Sequence, residues 1–150
     1  MNTLDKIDRK LIKTVRRISE PAARISLFVI FFWFGILKVI GTSPALGLVQ
    51  DLFDATFLSA LPFGVFFAVF GVYEMIIGLL FLSRRFERIA MALLLPHMLM
   101  TLMPLVLLPE ASWQSFMTPT IEGQYIIKNL ALIALAFFTA INLRPLHSKR

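Results

Sequence analysis

Three ionisable side chains interrupt the long apolar stretches of the 150-residue chain: Lys38, Glu74 and Lys128. A charge at the centre of a bilayer costs about 2.5–3.5 kcal/mol on insertion scales, so each of them needs a partner or a function. His97 lies in a further apolar stretch, one helical turn before Thr101. Ammonium, carboxylate and imidazole groups together can bind an anion or hydrogen-bond a carbonyl oxygen.

Helical spacing predicts where these side chains point. Gly64, Gly71 and Gly78 recur every seven residues, which predicts a groove packed against a neighbouring helix. Glu74 lies on the same stripe and therefore faces that neighbour and not lipid. Lys38 shares a face with residues 31 and 35, and Lys128 shares one with residues 131, 135 and 139.

Depth along the predicted helices favours one shared polar site. Lys38 and Lys128 both fall near outer helix ends, and the carboxylate of Glu74 leans outward from mid-helix. Two cations and one carboxylate predict a local charge of +1, with His97 at the floor of the pocket. No catalytic residue is assigned. The predicted ligand-binding residues are Trp33, Lys38, Tyr73, Glu74, His97, Lys128 and Asn129.

An alternative interpretation needs no shared site. The two lysines can each snorkel to the interface, and Glu74 can be neutralised by a proton. His97 is then a packed, hydrogen-bonded histidine. Methionines 98, 100 and 103 are interpreted as gap-filling side chains, so no metal site is predicted. The chain has no cysteine, which excludes disulfides and thiolate chemistry.

The elements that position these residues are predicted to be transmembrane helices. Hydrophobic residues make up 58% of the chain and charged residues 16%, a balance too apolar for a small soluble globule. A helix needs about 20 residues to cross a bilayer. We predict one all-α membrane domain over residues 1–150, a four-helix bundle with helices at about residues 25–41, 61–82, 89–108 and 125–143.

Charge distribution predicts the topology and excludes nucleic acid as a partner. The net charge is +6, but the cations are concentrated before residue 25, in residues 83–88 and after residue 143, while the intervening loops carry only acids. This alternation is the positive-inside pattern. It predicts a multi-pass protein of the bacterial inner membrane with both termini in the cytoplasm.

Shorter segments complete the prediction. Residues 1–24 are interpreted as an amphipathic helix on the anionic cytoplasmic leaflet, in preference to a signal peptide, with Arg24 snorkelling to the interface. Ser43 and Pro44 predict the start of a short amphipathic helix in the first outer loop. Trp113, Phe116 and Tyr125 suit an aromatic belt at the second.

Three of the predicted helices carry recognisable motifs: Trp33-Phe-Gly35-x-x-Lys38, Gly71-Val-Tyr-Glu74 followed by Ile77-Gly78-Leu-Leu80, and Lys128-Asn129-Leu-Ala131. In this order they resemble motifs of the DoxX-like membrane protein superfamily, in particular its YkgB-like branch. The resemblance covers about residues 24–143 and implies a four-helix inner-membrane protein. It also implies a membrane redox subunit, because some members serve a thiosulfate:quinone oxidoreductase and others are tied to oxidative stress.

Two functional hypotheses follow. In the first, the pocket binds a quinone or a small anion for a membrane redox reaction, with quinone as the possible cofactor. In the second, the chain is a non-catalytic assembly or scaffold subunit that docks a protein partner or forms a homo-oligomer. A transporter has less support, since no inverted repeat is evident. The lipid bilayer is a partner in every case.

Overall fold

The computed structural model describes residues 3–141 and residue 143. The chain folds almost entirely into helices, as expected. Residues 1, 2, 142 and 144–150 lie outside the described residues. Part of the predicted topology depends on the basic C-terminal tail, which belongs to this set. The elements are α1 Thr3–Val39, α2 Leu46–Asp54, α3 Phe63–Phe81, α4 Glu87–Leu102, α5 Pro104–Leu107, α6 Pro109–Ser112, α7 Ile121–Ala140, β1 Trp113–Ser115 and β2 Thr118–Pro119, with 3₁₀ turns at Phe57–Ala60 and Arg84–Phe86.

Within the described residues, four helical segments are long and apolar enough to cross a membrane. This agrees with the predicted number of apolar helices of spanning length and points to a multi-pass membrane protein. Pro104 separates α5 from α4 near the end of the third segment, because a proline nitrogen has no hydrogen to donate. The four candidate spans are Leu4–Val39, Phe63–Phe81, Arg84–Leu107 and Ile121–Ala140.

Helix α1 departs from the prediction, which separated residues 1–24 from a first span at 25–41. The structure has one continuous helix, Thr3–Val39, that passes through Pro21 without a break. Its 37 residues extend about 55 Å, well beyond the roughly 30 Å of a bilayer core. The change from an amphipathic to an apolar pattern suggested a boundary, and Pro21 lies close to it, but the helix continues through this proline.

The core lies where α1, α3, α4 and α7 meet. Its side chains are apolar and nearly inaccessible, and they form one cluster: Leu27, Phe31, Ile77, Phe81, Ala90, Leu94, Met98 and Ala136. The outward faces of the same helices are apolar too. Val65 on α3 is 63% exposed and Leu99 on α4 is 67% exposed. Apolar residues on both the inner and the outer face are typical of helices that contact lipid.

The two loops that were predicted to lie outside the membrane are at the Gly41 end of the bundle, and they differ in detail from the prediction. The short helix expected in the first outer loop is present as α2, but it begins at Leu46 and not at Ser43, whose hydroxyl instead accepts a hydrogen bond from the Ala45 N–H. In the second outer loop, β1 and β2 form an antiparallel hairpin that the sequence did not predict. Phe116 at its tip is 92% exposed.

Candidate functional site

Close packing of α1 against α3 creates the site. A Cβ atom at Gly35 would lie 2.5 Å from the backbone oxygen of Gly71, and one at Gly71 would lie 2.6 Å from the oxygen of Gly35. Only glycine permits this approach. Gly78 also packs against α1, near Phe32. The predicted groove is therefore present, except that Gly64 was wrongly included, because nothing lies within 4 Å of a Cβ placed there.

The glycine contact brings Lys38 of α1 beside Glu74 of α3. The Lys38 Nζ donates to Glu74 Oε2 at 2.6 Å, and each side chain is 6% exposed. The pairing of Glu74 with Lys38, one of the two pairings predicted from helical spacing, is confirmed. Such a short, buried, charge-assisted bond joins the two helices at a point where neither charge has access to water.

His97 of α4 completes a three-residue cluster. Its Nε2 lies 3.3 Å from Glu74 Oε1, so the carboxylate contacts the lysine through one oxygen and the histidine through the other. The imidazole is 2% exposed. Its Nδ1 is buried and has no hydrogen-bond partner within the described part of the chain. Buried polar atoms are nearly always paired, so this one is an open hydrogen-bonding position.

Aromatic rings surround the imidazole. Phe70 stacks on it with ring centroids 5.1 Å apart, and Phe31 meets it edge-on at 5.6 Å. The Tyr73 ring lies 6.0 Å away, and its hydroxyl donates to the Leu93 oxygen at 2.7 Å. Lys38 Nζ is 5.6 Å from the centre of the Phe70 ring. Phe70 is half-buried, and it therefore separates the polar cluster from the outer surface of the bundle.

Three predicted site residues lie elsewhere. Trp33 is 64% exposed on the outer face of α1. Lys128 is exposed on α7, with its Nζ 5.0 Å from the centre of the Tyr125 ring, and Asn129 beside it is half-buried. Lys128 and Thr139 lie on the same side of α7, as predicted, but Thr139 is buried and Lys128 is exposed.

Because Lys128 lies outside the cluster, the charge of the cluster differs from the predicted value. Both carboxylate oxygens of Glu74 are occupied, one by Lys38 and the other by His97. The local charge of +1 expected from two lysines and one carboxylate is replaced by a neutral Lys38–Glu74 pair. Helical periodicity predicted the depth of Lys128, but which part of α7 packs against the other helices depends on the tertiary fold.

A second buried ionic network was missed by sequence reasoning. Arg24, expected to snorkel to the interface, is instead 6% exposed. Its Nη2 donates to Glu87 Oε2 at 2.6 Å and its Nη1 to the Phe81 oxygen at 3.1 Å. Glu20 accepts from Arg24 at 3.1 Å and from Arg84 Nη2 at 2.6 Å. The sequence feature that could have indicated this network is the presence of opposite charges at the ends of three predicted spans.

Two shallow surface grooves lie away from the Lys38–Glu74–His97 cluster. One is apolar and lies along α4 and α5, and the other is at the hairpin: their linings are Leu99, Leu102, Met103, Val106 and Leu107, and Trp113, Ser115, Phe116 and Met117. Among the residues that the structure describes, no group of three or more histidine, aspartate or glutamate side chains is arranged to hold a metal ion.

Comparison of the chain with protein-family models, with curated proteins and with solved structures finds no match. The resemblance to DoxX-like proteins therefore stays a prediction based on the three motifs. Function has to be argued from the geometry of the cluster.

Proposed function

We propose that the chain is a multi-pass protein of the bacterial inner membrane and that its Lys38–Glu74–His97 cluster binds the polar head of a neutral, carbonyl-bearing molecule such as a quinone. In this proposal it serves as the membrane subunit of a redox reaction. The observation that carries the proposal is the buried Nδ1 of His97, which has no hydrogen-bond partner among the described residues.

The charge of the cluster favours a neutral ligand over an anion. Lys38 and Glu74 already compensate one another at 2.6 Å, so a bound anion would have to compete with a carboxylate for the ammonium group. A carbonyl oxygen needs only a hydrogen-bond donor. Because Nε2 faces the Glu74 carboxylate, the neutral His97 imidazole donates there and presents Nδ1 as an acceptor, which fits the hydroxyl of the reduced quinone. The protonated imidazole donates from both nitrogens and fits the quinone carbonyl.

The residues around His97 fit a flat, largely apolar head group. Phe31, Phe70 and Tyr73 supply ring faces and edges, and apolar walls with few polar groups are typical of small-molecule sites. Phe70 stacks on the face of the imidazole and is half-buried, and in this proposal displacement of its ring opens the route by which a ligand reaches the cluster. When bound, a quinone would supply the electron chemistry, and the chain would supply the hydrogen bond and exclude water.

Orientation in the membrane is part of the proposal. The described basic residues of the long N-terminal segment and of the Arg84–Phe86 turn lie at the same end of the bundle, where Glu20 contacts Arg84. The positive-inside rule assigns this end to the cytoplasm. The cluster then lies toward the opposite end of α1, fourteen residues after Arg24, in the outer half of the membrane.

Quinone content of the purified protein tests the binding proposal. We expect detergent-purified wild type to retain quinone, measured by solvent extraction and mass spectrometry, and to bind an added water-soluble analogue. His97→Leu should lose both, and His97→Asn should retain part of the binding because an amide also hydrogen-bonds a carbonyl. Lys38→Met, which removes a residue of the cluster, should also weaken binding, and Lys128→Met is its matched control, since Lys128 lies outside the cluster.

A wild-type protein that neither retains nor binds quinone would contradict the proposal. The alternative is then a non-catalytic assembly or scaffold subunit in which the Lys38–Glu74 pair only locks α1 to α3. A partner protein that co-purifies in fixed ratio with wild type and with a folded Glu74→Gln variant, together with unchanged activity of the complex, would favour that alternative.

A further inference from the structure

The first five turns of α1 form an arm that extends past the other helices. We define the arm as residues 3–19. All of residues 4–18 are exposed, and at 1.5 Å per residue the arm is about 25 Å long. The neighbouring helices end near its base, where Phe81 closes α3 and Glu87 opens α4.

One face of the arm is apolar and the opposite side is basic. The apolar stripe is 50–77% exposed and consists of Leu4, Ile7, Leu11, Val15 and Ile18. The arm also carries six basic residues and two acidic ones, a net charge of +4. This combination fits an anionic lipid surface, which takes an apolar face into its acyl boundary and attracts lysine and arginine.

A second copy of the chain fits the arm less well. Pairing two arms side by side would bring two charges of +4 together, and like charges repel. The stripe is also only about two heptads long and has Thr14 where a heptad pattern built on Leu4 and Leu11 needs an apolar residue. An anionic membrane surface satisfies both the stripe and the charge.

As it stands, the arm continues the rest of α1 as one unbroken helix, and its residues 4–18 are exposed. It can reach the membrane surface only if α1 bends. Pro21 lies at the base of the arm and has no N–H to bond to the Arg17 carbonyl, so the helix is weakest at this turn. Pro21 is therefore the natural hinge.

An ionic latch spans the hinge. Glu20, on the arm side of Pro21, accepts from Arg24 on the other side through Oε1, at 3.1 Å, and from Arg84 through Oε2, at 2.6 Å. Arg24 is itself held by Glu87 at 2.6 Å. The Arg84 side chain is 75% exposed, so it is open to another anion. A lipid phosphate is such an anion.

We infer that the arm docks onto an anionic lipid surface by bending at Pro21, and that phosphate head groups release it by competing with Glu20 for Arg84. The apolar stripe then enters the acyl boundary, and the basic side chains contact head groups. Each basic side chain near an anionic surface favours the docked arm by about fivefold. The inference rests on the arm and its latch, independently of the Lys38–Glu74–His97 cluster.

The full chain in lipid nanodiscs tests the inference. The chain has no cysteine, so Leu11→Cys takes a single environment-sensitive dye on the stripe, and Arg9→Cys places the same dye on the opposite face. We expect the Leu11 dye to shift to the blue as phosphatidylglycerol replaces phosphatidylcholine, and the Arg9 dye to shift little. In 1 M salt the Debye length falls to about 3 Å, and the Leu11 shift should be lost.

Variants separate the latch from simple charge effects. Glu20→Gln should lower the fraction of phosphatidylglycerol needed for half of the shift. Asp8→Asn changes the net charge equally but lies outside the latch, so it should have a smaller effect. Arg84→Gln also opens the latch, but it removes a positive charge, whereas Glu20→Gln removes a negative one. If both variants lower the fraction of phosphatidylglycerol needed for half of the shift, charge alone cannot be the cause.

Three outcomes would overturn the inference. Equal Leu11 emission in neutral and anionic discs excludes docking on lipid. A blue shift confined to discs that contain two chains identifies a second copy as the occupant. Equal responses of Glu20→Gln and Asp8→Asn exclude the latch. None of these results depends on quinone binding. Failure of the proposed function can therefore be distinguished from failure of this inference.

Discussion

Removing one partner of the Lys38–Glu74 pair should destabilise the protein strongly, and removing both should not. Glu74→Gln leaves the Lys38 ammonium buried beside a neutral amide and the Phe70 ring, with no opposite charge in place of the carboxylate. Lys38→Met leaves the carboxylate with His97 alone. In the double variant no uncompensated charge remains, so most of the penalty of either single change should disappear.

The expected magnitude follows from the distance and the burial. At 2.6 Å and an effective dielectric of about 20, two unit charges attract by roughly 6 kcal/mol, much of which is offset by their desolvation. Breaking a buried pair typically costs about 3–5 kcal/mol. For a chain of this size that corresponds to a decrease of about 6–20 °C in the melting temperature. The coupling between the two substitutions should be about 2 kcal/mol or more.

The assay is a double-mutant cycle in which thermal unfolding is monitored by circular dichroism, in one detergent and at one heating rate. Lys128→Met is the matched control, because it makes the same chemical change to an exposed lysine. Its contact with the Tyr125 ring at 5.0 Å is an exposed cation–π interaction worth about 0.5–1 kcal/mol. We expect the Lys128→Met melting temperature to lie within about 4 °C of wild type.

Additive effects of Glu74→Gln and Lys38→Met would refute the reasoning. Additivity is expected of distant, independent sites and not of two groups in contact. A Lys128→Met variant as unstable as Lys38→Met would also contradict it, since that result would mean that loss of any lysine from the apolar segments has the same consequence.

Three further predictions concern packing, the second network and topology. Gly71→Ala should destabilise the protein by about 1–3 kcal/mol in the same unfolding assay, because its Cβ would meet the Gly35 oxygen at 2.6 Å. Gly64→Ala, with nothing within 4 Å, should be neutral or stabilising, and the opposite order would refute the packing argument. Arg24→Met should cost about 3–5 kcal/mol by leaving Glu87 buried and uncompensated, and a loss under about 1 kcal/mol would mean that Arg24 behaves as a surface residue. In intact cells, cysteine at Ser115 should react with an impermeant thiol reagent applied outside and cysteine at Ser83 only after permeabilisation, whereas the reverse result would invert the proposed topology.

The sequence alone was sufficient to predict four helices long and apolar enough to span a membrane, and to predict that Glu74 lies on the packed face of α3. Composition and the length of the apolar segments predicted helices that the structure has, because a lipid environment requires about 20 consecutive apolar residues in a span. Periodicity placed Glu74 on the glycine stripe of α3. It did so because residues three and four apart share a face of any α-helix, whatever surrounds it.

The position of α1 relative to the other helices required the tertiary structure. Opposite charges at the ends of neighbouring predicted spans hinted at a network, but the pairing and burial of Arg24 and Glu87, which are distant in the chain, appear only in the tertiary structure. The continuity of α1 through Pro21 also escaped prediction. Propensity disfavours a proline within a helix, but contacts on both sides of it, such as those of Glu20 with Arg24 and Arg84, can offset that cost and keep the helix continuous.

The composition of the site was decided by how the helices are rotated and packed. Both Lys38 and Lys128 satisfied the spacing and depth criteria, yet only Lys38 contacts Glu74. The physical reason is that periodicity describes one helix at a time. The approach of Gly35 to Gly71 sets the distance between α1 and α3, and α4 brings His97 to the free carboxylate oxygen. Contacts between helices therefore selected the three residues of the cluster.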